Sequence, residues 1–154
     1  MSGVSIFIKT CKKDLPWLNY CLRSIRNHAR GFKEVVIVLD EDCRGEQIIT
    51  ASESQFCYFS RQWENGYIQQ QYIKIHADKY CTGDVILFVD SDCVFMRGFS
   101  PESFLSDGKP VLLKTRYGNL EGAEAWKKIT ESFVGFPVDF EYMRRMPLIY
   151  LSSS

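Results

Sequence analysis

Two apolar segments flank an amphipathic helical pattern near the N-terminus, and this arrangement constrains the fold more than any other feature of the sequence. The segments are VSIFIK at 4–9 and EVVIVLD at 34–40, whose apolar residues do not alternate with polar ones as they do in half-exposed strands. Between them, Asp14 can cap a helix with Pro16 in its first turn, and Gly31 can end it. The apolar residues of that helix recur at spacings of three and four: Leu15, Leu18, Leu22, Ile25 and Ala29. The sequence therefore predicts a strand–helix–strand unit.

The rest of the chain continues the alternation of strands and helices. FCYF at 56–59 predicts a third short strand, and a helix is predicted at Tyr67–Tyr80. A strand that ends at Asp90 follows, then a strand at 110–115 and a helix around Glu121–Phe133. The pattern of the Tyr67–Tyr80 helix places two groups of side chains on different faces: Ile68, Tyr72 and Ile75 on one, and Gln70, Lys74 and Asp78 on the other. We therefore expect one α/β domain with a mostly parallel central sheet flanked by helices.

Charge, apolar patterning and cysteine spacing argue against a nucleic-acid-binding protein, a membrane-spanning protein and a zinc protein. The 19 basic residues balance the 19 acidic ones, so no net charge attracts nucleic acid, which we do not expect as a partner. No apolar run approaches the roughly 18 residues of a membrane span, and the N-terminus lacks the pattern of a signal peptide. We therefore expect a cytoplasmic protein without a membrane span. The six cysteines include no CxxC pair, which favours free thiols over disulfides or a zinc site.

The segment GDVILFVDSDCVF at 83–95 carries two aspartates directly after an apolar strand. Parallel sheets bind ligands outside the carboxyl ends of their strands, which is where both Asp90 and Asp40 are expected. Asp90 and Asp92 would repel each other, and a divalent cation would relieve that repulsion. Mg²⁺ and Mn²⁺ prefer carboxylate oxygens and complete their shells with water and phosphate oxygens. We expect such a cation here; the alternative is that Asp92 caps a turn and Asp90 is a solvated strand end.

Four segments together resemble a known family: VSIFIKTCKKD at 4–14, VVIVLD at 35–40, GYIQQQYIKIHAD at 66–78 and GDVILFVDSDCVF at 83–95. They are similar to the nucleotide-diphospho-sugar transferases of the GT-A fold. The resemblance implies a Rossmann-like sheet, glycosyltransferase activity, a nucleotide-sugar donor and an Asp-x-Asp motif that holds Mn²⁺ or Mg²⁺. It also implies an acceptor, a glycan or another molecule, which the sequence does not identify.

The resemblance places one group of residues near the base and ribose of the donor. It implies that Thr10 and Lys12 lie there, and that Asp40 accepts a hydrogen bond from a uracil imide, which favours a UDP-sugar. The two charged residues have simpler alternatives, which the sequence leaves open. Lys12 can be a solvated surface lysine, and Asp40 can begin an Asx turn.

The resemblance assigns a second group to the diphosphate, the sugar and the metal. It implies that Gln70 and Lys74 point toward the pyrophosphate or the donor sugar. Asp90 and Ser91 would meet the ribose or the waters of the metal, and Asp92 would coordinate the metal directly, so that Asp90 and Asp92 are the metal-binding candidates. Lys74 can instead form an exposed ion pair with the aspartate four residues later.

Two carboxylates near the C-terminus, Asp139 and Glu141, are candidates for a catalytic base. An inverting glycosyltransferase needs a carboxylate that takes the proton from the acceptor. Both candidates lie in the segment FVGFPVDFEYMRRMP, among Phe136, Phe140 and Tyr142. These aromatic side chains can stack on a sugar or form part of a core.

The chain is shorter than most domains of the family that it resembles. We expect a nucleotide-binding half at 1–92 and a partial acceptor-side half at 93–154, whose C-terminal part is truncated, completed by a partner or catalytically incomplete. The expected function is a metal-dependent glycosyltransferase, and the alternative is a catalytically incomplete nucleotide-sugar binding domain. A sugar-phosphate nucleotidyltransferase is disfavoured because TCKKDLPW at 10–17 has no glycine-rich loop for a triphosphate.

Overall fold

The computed structural model describes residues 3–48, 54–61, 63–142 and 146–152. These residues form nine strands and three α-helices in the order β1 Val4–Lys9, α1 Leu15–His28, β2 Glu34–Asp40, β3 Ser54–Phe59, α2 Gly66–Ile75, β4 Val85–Phe88, β5 Leu105–Ser106, β6 Lys109–Pro110, β7 Thr115–Arg116, α3 Glu124–Val134, β8 Phe140–Glu141 and β9 Leu148–Leu151. Single turns of 3₁₀-helix lie at Lys12–Asp14, Glu41–Cys43, Ala77–Lys79, Pro101–Ser103 and Tyr117–Asn119. The chain divides into two compact units, Met1–Val111 with Pro147–Ser154, and Leu112–Met146.

A five-stranded sheet forms the centre of the first unit. Its strand order is β3-β2-β1-β4-β9, with β9 antiparallel to β4 and all other neighbours parallel. The strands at 4–9 and 34–40 are found where the sequence predicts them, and β3 begins at Ser54 rather than at Phe56. The predicted α/β fold with a mostly parallel sheet flanked by helices is confirmed.

Alternating side chains of the strands make two apolar cores, one on each face of the sheet. On one face, Val4, Ile6 and Ile8 of β1 pack against α1, whose buried apolar residues include the predicted ones: Leu15, Leu18, Leu22 and Ile25. On the other face, Phe7 belongs to a core with Ile73 of α2. Since strand side chains alternate with a period of two, the ends of the strands deliver neighbouring residues to opposite faces.

Two details of the helices differ from the prediction. Asp14 occupies the N-cap of α1 without a capping hydrogen bond, because its carboxylate lies 3.2 Å from Cys11 Sγ and accepts from that thiol. On α2, the buried residues are Gln69 and Ile73. The three apolar residues that the sequence places on one face are exposed: Ile68, Tyr72 and Ile75. The stripe that meets the sheet therefore differs from the most apolar stripe of the helix.

The predicted strand at 110–115 is wrong. Pro110 ends β6 and Thr115 begins β7, and the residues between them lie in no strand. Pro110 has no N–H to donate to a ladder, and β6 pairs with β5 in a hairpin. The strand β9, which was not predicted from the sequence, pairs with β4 at one edge of the central sheet.

The second unit, Leu112–Met146, holds the antiparallel pair β7–β8 and helix α3. The helix predicted around Glu121–Phe133 is found at Glu124–Val134, and Gly135 ends it in the left-handed conformation, with φ 79°. The expected halves at 1–92 and 93–154 stay a prediction about function. No helix in the described parts of either unit is long and apolar enough to cross a membrane.

A buried carboxylate, Glu34, joins four segments of the first unit at the amino-terminal edge of the sheet. Its oxygens accept hydrogen bonds from Ser5 Oγ at 2.7 Å, from the N–H and hydroxyl of Thr82 at 2.6 and 3.0 Å, and from Gln55 Nε2 at 2.9 Å. Burial raises the pKa of Glu34, but the hydrogen bonds from Ser5 and Thr82 outweigh it and hold the pKa below its usual range. The ionised form of Glu34 is therefore part of the folded structure.

We expect Glu34→Gln to destabilise the protein by about 1–3 kcal/mol at neutral pH, because an amide N–H₂ would face a donor in this cluster. The wild-type contribution is present above the pKa of an unfolded glutamate, about 4.3, and is lost as the pH falls through the lower pKa of the folded state. Denaturant unfolding of both proteins between pH 7 and pH 3 should therefore show the difference shrinking on acidification. Glu64→Gln is the control, since Glu64 is exposed. An equal difference at both pH values would contradict an ionised Glu34.

Candidate functional site

The carboxyl ends of three parallel strands meet at one edge of the central sheet. From β1, the chain places β2 and β3 on one side and β4 on the other, so the strand order reverses between β1 and β4. Such a reversal opens a crevice outside the carboxyl ends of the two strands, where open α/β sheets bind ligands. Thr10 directly follows β1, Asp40 is the last residue of β2, and Asp90 lies two residues after the end of β4. All three are at the edge where they were expected, although the strand expected to end at Asp90 ends at Phe88.

A hydrogen bond between two hydroxyl groups joins the end of β1 to the segment after β4. Thr10 Oγ1 donates to Ser91 Oγ at 3.0 Å, and both residues are buried. The N–H of Thr10 also donates to Val38 O of β2 at 3.1 Å. These bonds fix the end of β1 against both neighbouring strands, so the predicted site residues Thr10 and Ser91 lie together.

Asp40 accepts two hydrogen bonds on the same oxygen. Lys9 Nζ lies 2.8 Å from Asp40 Oδ1, and Gln69 Nε2 lies 2.6 Å from it. The lysine is only 3% exposed, and its ammonium also donates to Thr10 O at 2.5 Å. Asp40 is 24% exposed, and no residue in the described ranges donates to its Oδ2. Within the described residues, the carboxylate therefore has two donors on Oδ1 and none on Oδ2.

Neither partner of Asp40, Lys9 nor Gln69, was predicted from the sequence. A signal for Lys9 was present, because residues 5, 7 and 9 of a buried strand share a face, and a lysine there needs an acidic partner. No such signal separates Gln69 from Gln70, since adjacent glutamines differ only in the rotation of the helix about its axis. In the structure Gln69 is buried and Gln70 is half-buried.

The Asp90 carboxylate is paired with a lysine from α2. Lys74 Nζ lies 2.8 Å from Asp90 Oδ1, and the two side chains are 18% and 36% exposed. The main chain of Asp90 is held as well, because its carbonyl accepts from the N–H of Cys93 at 3.1 Å and from the buried thiol of Cys21 at 3.8 Å. Burial raises the pKa of that thiol to about 12, so the Cys21 donor stays protonated at neutral pH. Asp90 is thus fixed in position at the crevice.

Asp92 is exposed, and within residues 3–48, 54–61, 63–142 and 146–152 no group forms a hydrogen bond or ion pair with its carboxylate. In the same ranges, no three His, Cys, Asp or Glu side chains come together as a complete metal site. The carboxylates of Asp90 and Asp92 and the hydroxyl of Ser91 suit a hard cation that takes its other ligands from water and phosphate. This donor set fits Mg²⁺ or Mn²⁺ and does not fit a closed zinc centre.

Lys12 and Gln70 form no hydrogen bond or ion pair with the other predicted site residues. Lys12 Nζ forms an exposed ion pair with Glu46 at 2.8 Å. The described residues offer the side chain of Gln70 no hydrogen bond. The roles expected of Lys12 near the base and ribose, and of Gln70 at the pyrophosphate or donor sugar, stay predictions.

The two candidate bases belong to the second unit. The main-chain oxygen of Asp139 accepts from the N–H of Tyr117 at 3.0 Å, and Glu141 lies opposite Thr115 in the β7–β8 pair. Phe140 of the same segment lies 4.4 Å from the ammonium of Lys114. Of the neighbouring aromatic residues, two are exposed: Phe136 and Tyr142. Their contact with a sugar stays a prediction.

Comparison with known proteins identifies the family of the chain. The family described as glycosyl transferase family 2 matches residues 5–145, which is most of the sequence. No curated protein matches the chain. The match and the parallel α/β sheet confirm the predicted relationship to the GT-A nucleotide-diphospho-sugar transferases. The chain belongs to glycosyl transferase family 2.

Proposed function

We propose that the protein is a metal-dependent glycosyltransferase that moves a sugar from a nucleoside diphosphate donor, with a UDP-sugar favoured, to an acceptor. Membership of the family supports a nucleotide-sugar glycosyltransferase in general. One observation carries the finer proposal: the open Asp92 carboxylate next to the Asp90–Lys74 pair, at the crevice between β1 and β4. Charges of both signs at a ligand-binding edge suit a cation together with a diphosphate.

In this proposal, Asp90 and Asp92 hold Mn²⁺ or Mg²⁺, and Asp92 provides the direct contact. A divalent cation would supply positive charge that stabilises the leaving diphosphate. Lys74 brings a second positive charge to the same place, because its ammonium is 2.8 Å from Asp90. Lys74 lies on helix α2, and hydrogen bonds from Cys93 and Cys21 hold the main chain of Asp90. The Lys74–Asp90 pair therefore requires little reorganisation to receive a diphosphate.

Thr10, Asp40 and Ser91 are proposed to receive the nucleoside. Asp40 presents an acceptor oxygen that can take a hydrogen bond from the N–H of an imide base. The hydroxyls of Thr10 and Ser91, already bonded to each other at 3.0 Å, fix the distance between β1 and the loop that carries Asp92. This arrangement supports a binding mode in which the nucleotide spans the crevice from Asp40 to Asp92.

For the acceptor step, we propose Asp139 or Glu141 as the base that takes the proton of the attacking group. The exposed aromatic residues of the same segment, Phe136 and Tyr142, support this assignment because exposed rings can stack on a sugar. The alternative function is a nucleotide-sugar binding domain that performs no transfer. It predicts donor binding without release of nucleoside diphosphate, in the wild type as in the amide variants of Asp139 and Glu141.

The test is an assay of nucleoside diphosphate release from a panel of nucleotide sugars, with Mn²⁺, with Mg²⁺ and with a chelator. We expect one donor to be turned over in the presence of the cation, at a rate that the amide variants of Asp139 or Glu141 lower by about a hundredfold. Donor binding without release supports the binding-domain alternative. A protein that neither binds nor turns over any nucleotide sugar would refute the proposal.

We expect Lys74→Met to weaken nucleoside diphosphate binding by about tenfold, because one charge-assisted contact is lost. The same change should strengthen binding of Mn²⁺ alone, since Asp90 loses the ammonium that competes with the cation. Titration of Mn²⁺ by electron paramagnetic resonance, with and without nucleotide, measures both effects. Lys79→Met is the matched control, because Lys79 is an exposed lysine in the turn after α2. Unchanged affinities in the Lys74 variant would contradict its proposed position at the diphosphate.

A further inference from the structure

The hydrogen bonds around Asp40 determine which of its oxygens can meet a ligand. Gln69 is buried, and its Oε1 accepts from the main-chain N–H of Trp63 at 3.0 Å. This contact fixes the orientation of the amide, because the opposite orientation would direct an N–H₂ group at the N–H of Trp63. The Nε2 end of Gln69 therefore faces Asp40 and donates to Oδ1.

Lys9 donates a second hydrogen bond to the same oxygen, Asp40 Oδ1. Its ammonium is almost fully buried and has two acceptors, Thr10 O and Asp40 Oδ1. A buried ammonium is strongly stabilised by a carboxylate at 2.8 Å, and rotation of Asp40 away from it would leave that charge unpaired. Lys9 and Gln69 thus keep Oδ1 turned toward two buried side chains, and Oδ2, to which no described residue donates, is the oxygen left for a ligand.

We propose that Lys9 and Gln69 are positioning residues that make Asp40 a single outward acceptor, and that this selects a donor with an imide base, uracil or thymine. The inference rests on the proposed function and goes one step further, to the two residues that make Asp40 selective among bases. An imide offers one N–H between two carbonyl groups, so one acceptor opposite it satisfies the only donor on that edge. Cytosine and adenine present a ring nitrogen acceptor there, which a carboxylate oxygen repels.

Guanine is the informative competitor. It offers two adjacent donors, a ring N–H and an amino group, which match a carboxylate with both oxygens free. Because Oδ1 of Asp40 already accepts hydrogen bonds from Lys9 and Gln69, only Oδ2 is available, and guanine can form one of its two hydrogen bonds. The site therefore disfavours guanine through Lys9 and Gln69, and not through Asp40 alone.

The sharpest test is Asp40→Asn, since an amide has one acceptor and one donor end. Lys9 and Gln69 both donate, so they hold the amide oxygen inward and turn the N–H₂ group outward. The variant should then prefer a base with an acceptor at that position. Calorimetric titration with UDP, CDP, ADP and GDP in the presence of Mn²⁺ should show a preference of about tenfold for UDP in the wild type and a reversal toward CDP in Asp40→Asn.

Gln69→Leu provides an independent test that keeps the carboxylate. Loss of one donor frees Oδ1 in part, and the ratio of UDP to GDP affinity should fall by about tenfold. Gln71→Leu is the matched control, a half-buried glutamine of the same helix without a hydrogen bond to any described residue, and it should keep the wild-type ratio. The ratio between nucleotides cancels any general loss of structure, and thermal unfolding of each variant reports that loss separately.

The outcomes separate this inference from the proposed function. Mn²⁺-dependent binding of all four nucleotides without a base preference would refute the inference and leave the transferase proposal standing. A preference for UDP that Asp40→Asn abolishes without reversal, and that Gln69→Leu leaves unchanged, would refute the positioning role. A wild-type protein that binds none of the four nucleotides would instead refute the proposed function.

Discussion

Replacing Asp92 with asparagine is expected to lower the rate of nucleoside diphosphate release by at least about a hundredfold, because several kcal/mol of stabilisation depend on the cation that this carboxylate holds. Asparagine keeps the shape of the side chain and removes its negative charge. Asp92 has no hydrogen bond or ion pair with a residue in the described part of the chain, so the substitution breaks no contact seen in the structure. The folded state should be unaffected, and the apparent affinity for Mn²⁺ should fall with the rate.

The control for Asp92 is the same chemical change at Asp107. This residue is exposed and lies in the turn between β5 and β6 with φ 51°, a conformation that asparagine accepts readily. Steady-state release at several Mn²⁺ concentrations should be unchanged in Asp107→Asn. If Asp92→Asn kept the wild-type rate and Mn²⁺ dependence, the assignment of Asp92 to the metal would be wrong, and Asp92 would serve only as a residue of the turn after β4.

Gly83→Ala is expected to have the largest effect on stability, a loss of about 3 kcal/mol or more. A methyl group at this position would lie 2.6 Å from Ser5 Oγ, 2.8 Å from Gly3 O and 2.9 Å from Ser5 N. Two of these atoms belong to the main chain, so no flexible side-chain end can move aside. The N–H of Gly83 also donates to Ser5 Oγ at 3.0 Å. Glycine thus allows the segment before β4 to approach β1, and the register of β4 carries Asp90 and Asp92 to the crevice.

Gly66→Ala is the matched control for Gly83. Gly66 is the first residue of α2, and a methyl group there would meet no atom within 4 Å. We expect its effect on the free energy of unfolding to stay within about 1 kcal/mol. Chemical denaturation of the two variants measures the difference, and equal stability of Gly83→Ala and the wild type would contradict the close approach of these strands.

The central part of the fold could be predicted because its signals are local. β1 and β2 are continuous apolar runs, and α1 carries an unbroken stripe from Leu15 to Ile25. β9 could not be predicted in the same way, because its four residues form a strand only by pairing with the free edge of β4. The rotation of α2 was equally hidden, since the helix buries Gln69 and Ile73 and leaves Ile68, Tyr72 and Ile75 exposed. The contact of Gln69 with Asp40 gives no signal in the sequence.

The location of the candidate site could be predicted from one physical rule, the binding of ligands at the carboxyl ends of parallel strands. That rule predicts Asp40 and Asp90 at one edge, and the family resemblance adds Thr10. The contacts between side chains within the site could not be predicted, because they depend on which strands are neighbours in the sheet and in which register. Lys9 and Asp40 become neighbours only when β1 and β2 pair in the register of Lys9 with Val38.

The central claim is that this edge of the sheet binds the nucleoside diphosphate of a sugar donor together with a divalent cation. Calorimetric titration of the wild-type protein with UDP, with Mn²⁺ and with a chelator in its place, tests it most directly. We expect saturable binding of one UDP per chain that requires Mn²⁺ and is lost in Asp92→Asn. Absence of binding by UDP and by the other nucleoside diphosphates, or binding that is indifferent to both Mn²⁺ and Asp92, would contradict it.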